Sequence, residues 1–374
     1  MYSQQELDDA VAAGAINREA ANSLRAFVAA QRSAPAVDEE HFRLITGFND
    51  IFVALASIIL LVAVGWIGQA IGQGLNFALP GGGPSPLAGA AVAAAAWGLA
   101  TYFTAKRRMA LPSILLMLAF VGGTFWAVGS LLAVIVAASI AEPSEQIGGF
   151  LAALAAAITA GAAWLHWKTF RVPITVAAGA AAVAGIVAGI TAGVLAGSIG
   201  DEALKTVMLT VVLLLGLGIF AYAMRWDMSD PGRVTRRSDV AFWLHLLAAP
   251  MIVHPVFTLL GLNDGHATIG EGLLVIALYI ALGIAALAID RRALLVSGLA
   301  YVIWALSDMF EQFGAIELNI ALTALVIGSA LLLLSAFWHQ ARSSIIARLP
   351  EGWQARLPHP SRLAVAEASP EPSA

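Results

Sequence analysis

The sequence predicts an all-α protein: a polytopic transmembrane helix bundle of about ten spans, with a small N-terminal helical hairpin on the cytoplasmic side. Three observations predict it. The chain of 374 residues is 60% hydrophobic and only 12% charged, with a mean hydropathy of +0.83. Soluble domains carry about 25% charged residues, so this composition cannot cover a wet surface. The apolar residues fall into runs of membrane-crossing length, about 20 residues each. The basic residues gather in alternate turns between those runs, as they do on the cytoplasmic side of a membrane protein.

The net charge of -4 is small, and no basic stripe of the kind a nucleic-acid binder needs is present. With no Cys there is no disulfide, no thiolate metal site and no Cys nucleophile. The start, MYSQQELDDAVAAG, is acidic and polar. It lacks the basic start and apolar core of a signal peptide, so the N-terminus is expected to stay on the side of synthesis.

Residues 1–32 read as the hairpin. Leu7 and Val11, then Ile16, Leu24, Phe27 and Val28, recur at helical spacing. Gly14 suits a C-cap and Asn17 the following N-cap. The apolar stripe is narrow. It leans on a protein partner, on a second copy or on the bundle, or the hairpin is a solvated appendage. Residues 33–49 are a polar linker.

The bundle covers 50–338, with spans expected at 50–72, 86–104, 110–140, 147–167, 172–198, 204–224, 239–262, 270–289, 293–310 and 319–338. The third is over-long. It tilts, protrudes or bends at Gly122–Gly123. Threaded this way, every Lys and Arg but Lys205 falls on one side, together with both termini. That side is expected to be the cytoplasmic face of a bacterial inner membrane. The basic turns TAKRRMALPS, HWKTFRVPIT, VTRRSDVAFW and IDRRALLVSG form a weak repeat. Duplicated hairpins produce such a repeat, and the positive-inside rule alone also produces it. In the tail, 339–374, HQARSSIIARL suits an interfacial helix with Ile345, Ile346 and Leu349 toward lipid and its arginines toward headgroups. Beyond Pro350 the composition suits disorder.

The seventh span, DVAFWLHLLAAPMIVHPVFTLLGL, carries the chemistry that stands out. His254 lies roughly 21 Å along it at 1.5 Å per residue. An imidazole there needs a partner or a water-filled cavity, because lipid offers neither. It acts as a proton relay or substrate ligand, or it makes a helix-to-helix hydrogen bond. His245 lies nine residues earlier, on the opposite face of a straight helix, so joint metal ligation is not expected. Pro250 and Pro255 are expected to kink the helix. The carbonyls they free are tolerated only against protein or water, which points to a polar cavity holding His254, His245 and, from the ninth span, Asp308.

The fifth span repeats small residues every four positions: Ala177, Ala181, Gly185, Gly189, Gly193 and Gly197. That ridge lets another helix approach closely, in the same chain or in a homo-oligomer. Phosphate-loop, HExxH, GxSxG and EF-hand spacings are all missing, so no enzyme activity, cofactor or metal is expected.

The stretch ELDDAVAAGAINREAANSLRAFVAAQ, followed by a linker and a many-helix bundle, resembles a bacterial family of predicted membrane proteins of unknown function. The stretch DVAFWLHLLAAPMIVHP is similar to a signature among such proteins. The resemblance implies the order hairpin-then-bundle and carries no activity, substrate or site residue. Two functions stay open. One is transport or permeation of a small solute or proton near the kinked seventh span. The other is a membrane-anchored scaffold or regulator acting through residues 1–32.

Overall fold

The computed structural model describes residues 10–24, 48–140, 142–230, 235–262, 269–312, 318–350 and 352. Most of the linker, the expected disordered tail, and Asn263, Asp264 and His266 lie outside the described residues, as does the side chain of Asp308. The chain divides into two units, Met1–Arg43 and Leu44–Ala374. In the first, two helical stretches flank Gly14, whose φ of 71° lies in the left-handed region open to glycine. The Ala20 N–H donates to Asn17 Oδ1 at 2.7 Å, which caps the second stretch.

The second unit is an all-α polytopic bundle. Among the described residues, ten helices are long and apolar enough to cross a membrane. In order they are α1 (Phe48–Gly74), α2 (Pro86–Phe103), α3 (Ala110–Ser139), α4 (Glu145–Phe170), α5 (Ile174–Leu195), α6 (Asp201–Met228), α7 (Arg236–Leu259), α8 (Ile269–Ile289), α9 (Ala293–Gln312) and α10 (Asn319–Ala336). A short α11 (Trp338–Ile346) follows. Each bound of the ten lies within about one turn of the expected one.

The most intimate sequential pairs, α2–α3, α4–α5 and α6–α7, each share a basic turn. Small residues let their backbones touch. A Cβ on Gly189 of α5 would sit 2.7 Å from Ala153 N and 2.9 Å from Gly149 O of α4. Gly185 meets Ala156 and Gly193 meets the Phe150 ring in the same interface. The expected ridge on the fifth span is therefore covered from within the chain, and Gly185, Gly189 and Gly193 are not open to a second copy. Gly197 does not belong to the ridge: α5 stops at Leu195, and Gly197 turns the chain with φ 71°. The partner stripe on α4, Gly149–Ala153–Ala156, was equally visible in the sequence.

Helix α3 runs unbroken for 30 residues, about 45 Å, against about 30 Å of hydrocarbon. Gly123 does not bend it. It is the contact with α2, where an added Cβ would sit 2.8 Å from Gly89 O.

Helix α7 sits at the centre. Half of its apolar window is buried, the largest share of the ten spans. It contacts α5, α6 and α9. It continues through Pro250 and Pro255 as one helix. Pro255 cannot donate to the carbonyl of Met251, one turn back. Gly216 of α6 lies against that residue: a Cβ there would be 3.0 Å from Met251 O. Protein backbone thus lies against the carbonyl that Pro255 frees.

Three basic turns close alike. Arg108, Arg171 and Asp290 all take positive φ, at 54°, 56° and 59°, which ends one helix so that the next can start. The residue after each turns inward: Met109, Val172 and Arg291 are all buried. This likeness goes beyond the shared charge.

Adjacent glycines on α3 provide a test. Gly123→Ala should destabilise by about 1–3 kcal/mol through overpacking. Gly122→Ala, where an added Cβ meets nothing within 4 Å, should leave the thermal unfolding midpoint in detergent unchanged or slightly raised. Equal effects of the two would contradict the α2–α3 contact.

Candidate functional site

In the α8–α9 turn, Arg291 grips α6 and α7, while Asp290 and Arg292 grip α11. Arg291 occupies the inward position that Met109 and Val172 fill in the other turns. A guanidinium there needs a counter-charge, because a buried charge is tolerated only when paired and hydrogen-bonded. Asp227, in the last turn of α6, supplies it. Arg291 Nη2 donates to Asp227 Oδ1, and Arg291 Nε donates to Oδ2 at 3.2 Å. Arg291 Nη2 also reaches the carbonyl of Ser238 in the first turn of α7, at 3.3 Å.

His245 completes the cluster from α7. Its Nε2 lies 2.9 Å from Asp227 Oδ2. An ionised carboxylate accepts only, so Nε2 carries the proton. The ring packs edge-on to Phe220, with centroids 5.2 Å apart. Exposure is 2% for Asp227, 0% for His245 and 2% for Arg291, so water does not solvate these charges from outside. One acid, one base and an imidazole thus share a bidentate, nearly neutral arrangement. Chemically, the imidazole holds a proton on Nε2 that points at the carboxylate.

Beside it, Asp290 Oδ1 accepts from Trp338 Nε1 at 2.9 Å and pairs with Arg342 Nε at 3.7 Å. The Arg292 guanidinium lies over the Trp338 ring at 4.7 Å. Trp338 and Arg342 are both buried. Helix α11 is therefore folded onto the α8–α9 turn. Arg342 turns inward to an acid and away from the headgroup position expected for it, and Ile345 packs against the same apolar cluster.

Of the residues expected to share one cavity, His245 and His254 are not brought together. His254 is exposed on the other face of α7. Its Nδ1 and Tyr301 Oη of α9 share a hydrogen bond of 2.6 Å. His245 is packed against α6. The backbone between them buries Ala248, Ala249 and Val253. Two open surface hollows lie away from α7. One, about 550 Å³, lies at the basic end between Asp50, Tyr102 and Arg107. The other, about 640 Å³, is an apolar groove between α5 and α6. Among the described residues, no three His, Asp or Glu side chains form a metal-ligand set.

Sequence reasoning missed Asp227, Arg291 and His166. The first two lay in basic loops, where charge is ordinary. The signal was positional: Arg291 stands where the sister turns carry Met or Val. His166 of α4 is buried among Trp97, Phe120 and Phe170, with Nδ1 3.2 Å from Thr175 Oγ1 across the α4–α5 hairpin. It lies beside Trp167 near the end of α4, where nothing in the local sequence marks it out.

Compared with protein-family models, curated proteins and solved structures, the chain matches none. What stands of the sequence resemblance is the architecture, a helical chain with many apolar helices.

Asp227→Ala strands Arg291 in the interior and should cost about 3–5 kcal/mol. His254→Ala removes one interhelical hydrogen bond and should cost about 0.6 kcal/mol. Chemical unfolding of both variants in detergent ranks them. A larger loss for His254→Ala would contradict the assignment of the polar centre.

Proposed function

We propose that this integral membrane protein moves a proton, or a small solute coupled to one, across the bilayer, and that it is not an enzyme. The observation that supports the reading is the fully buried Asp227–His245–Arg291 cluster inside a ten-span bundle. Of the three, His245 lies within a span, α7, and an ionisable group there is expensive and marks a proton or substrate pathway by default. His245 is the member whose side chain can hold or release a proton. The packed segment between His245 and His254 favours a rearrangement of α7 over a standing pore. In this reading both termini are cytoplasmic, and the membrane is a bacterial inner membrane.

A second reading has its own observation. The N-terminal unit carries its own cap at Asn17 and its own cluster of contacts. This favours a scaffold or regulator that engages a protein partner through residues 1–32.

Liposomes with an entrapped pH dye separate the two. Under transport, the wild-type chain dissipates an imposed pH gradient. His245→Gln keeps a hydrogen bond to Asp227 but cannot titrate, so it should fall to the rate of protein-free vesicles. Wild-type vesicles indistinguishable from empty ones would remove the transport reading. Loss of a pull-down partner on deleting residues 1–32, with His245→Gln unaffected, would establish the second.

A further inference from the structure

The groove between α5 and α6 is open on the flank of the bundle. Its walls are Val176, Ala180 and Val187 on α5, with Val211, Gly218 and Tyr222 on α6. Residues 176–187 and 211–222 each rise about 17 Å. That is close to half of a hydrocarbon core of about 30 Å, so the groove runs through one leaflet. It begins at the basic end, since Val176 stands just after the Arg171 turn and Tyr222 just before Arg225. An added Cβ at Gly218 would meet nothing within 4 Å, which marks the groove as empty space there.

Its mouth has a different chemistry. Arg171 is exposed, with its guanidinium 5.9 Å from the Trp167 ring. Arg225 is exposed one turn beyond Tyr222 on the same face of α6. Tyr222 and Trp226 meet edge-on at 6.1 Å, the aromatic pairing suited to the headgroup level. Among the described residues, neither Arg171 nor Arg225 has an acidic partner.

We infer that this groove binds one anionic phospholipid from the leaflet on the basic face, an acyl chain between α5 and α6 and the phosphate at Arg171 and Arg225. The length of the groove selects a lipid chain over a helix, which would need the full thickness. Charge selects against a second copy, because symmetric packing would set these arginines against their own kind. An anionic headgroup instead neutralises them, as basic residues at the interface do with acidic lipids. The assignment does not depend on the transport reading.

Native mass spectrometry of the full-length, delipidated protein tests it, with phosphatidylglycerol and phosphatidylcholine of identical acyl chains as probes. The wild-type chain should take up one phosphatidylglycerol in preference. The double variant Arg171→Gln/Arg225→Gln should lose that preference, by roughly fivefold per arginine, while keeping its phosphatidylcholine binding. Gly218→Leu fills the groove from an exposed, unhindered position and should weaken both lipids with helicity unchanged. Ala180→Leu fills it from the opposite wall and should do the same. Gly218→Leu and Ala180→Leu binding as tightly as wild type would overturn the site. So would equal wild-type affinity for the two lipids, or a wild-type dimer that Gly218→Leu dissolves, since the occupant would then be a second copy.

Discussion

A guanidinium at the end of the α8–α9 turn points into a bundle that offers it no water. Desolvating an ion costs several kcal/mol unless geometry and hydrogen bonds offset it. Arg291 therefore fixes where Asp227 must be, and with it the last turn of α6. Asp227 in turn orients the His245 ring, and the Ser238 carbonyl ties in the start of α7. The neighbouring Asp290 holds α11 through Trp338 and Arg342. Four separate parts of the chain meet because of one turn of three residues.

The remaining packing is governed by how closely backbones can approach. In lipid, helices gain little from hiding apolar side chains, since the solvent is itself apolar. Contact area and small residues decide instead. Gly149 against Gly193, Gly89 against Gly123, and Gly216 against Met251 are among the points where neighbouring helices touch. The last of these explains how α7 tolerates Pro255 without opening. The freed carbonyl faces α6, where irregular backbone in a membrane protein can be buried.

The architecture was legible because lipid imposes a length on every span and a side on every basic turn. Runs such as 270–289 and 293–310 have few other readings. Pairing was legible in part: the Gly185–Gly189–Gly193 ridge announced a close neighbour but not which one. The polar centre was not legible. His245 stood out because an imidazole is rare in an apolar run, and His254 stood out for the same reason. Only three-dimensional packing separates the buried one from the exposed one. Asp227 and Arg291 are 64 residues apart, and no local pattern joins them.

The central claim is that Asp227 and Arg291 act as one unit. A double-mutant cycle on unfolding free energy, using Asp227→Leu, Arg291→Met and the two together, measures that directly. Coupling above about 1 kcal/mol, with the double variant more stable than either single one, is the result expected of a buried pair. Losses that simply add would mean the two charges do not depend on each other, and the account of the bundle's polar centre would be wrong.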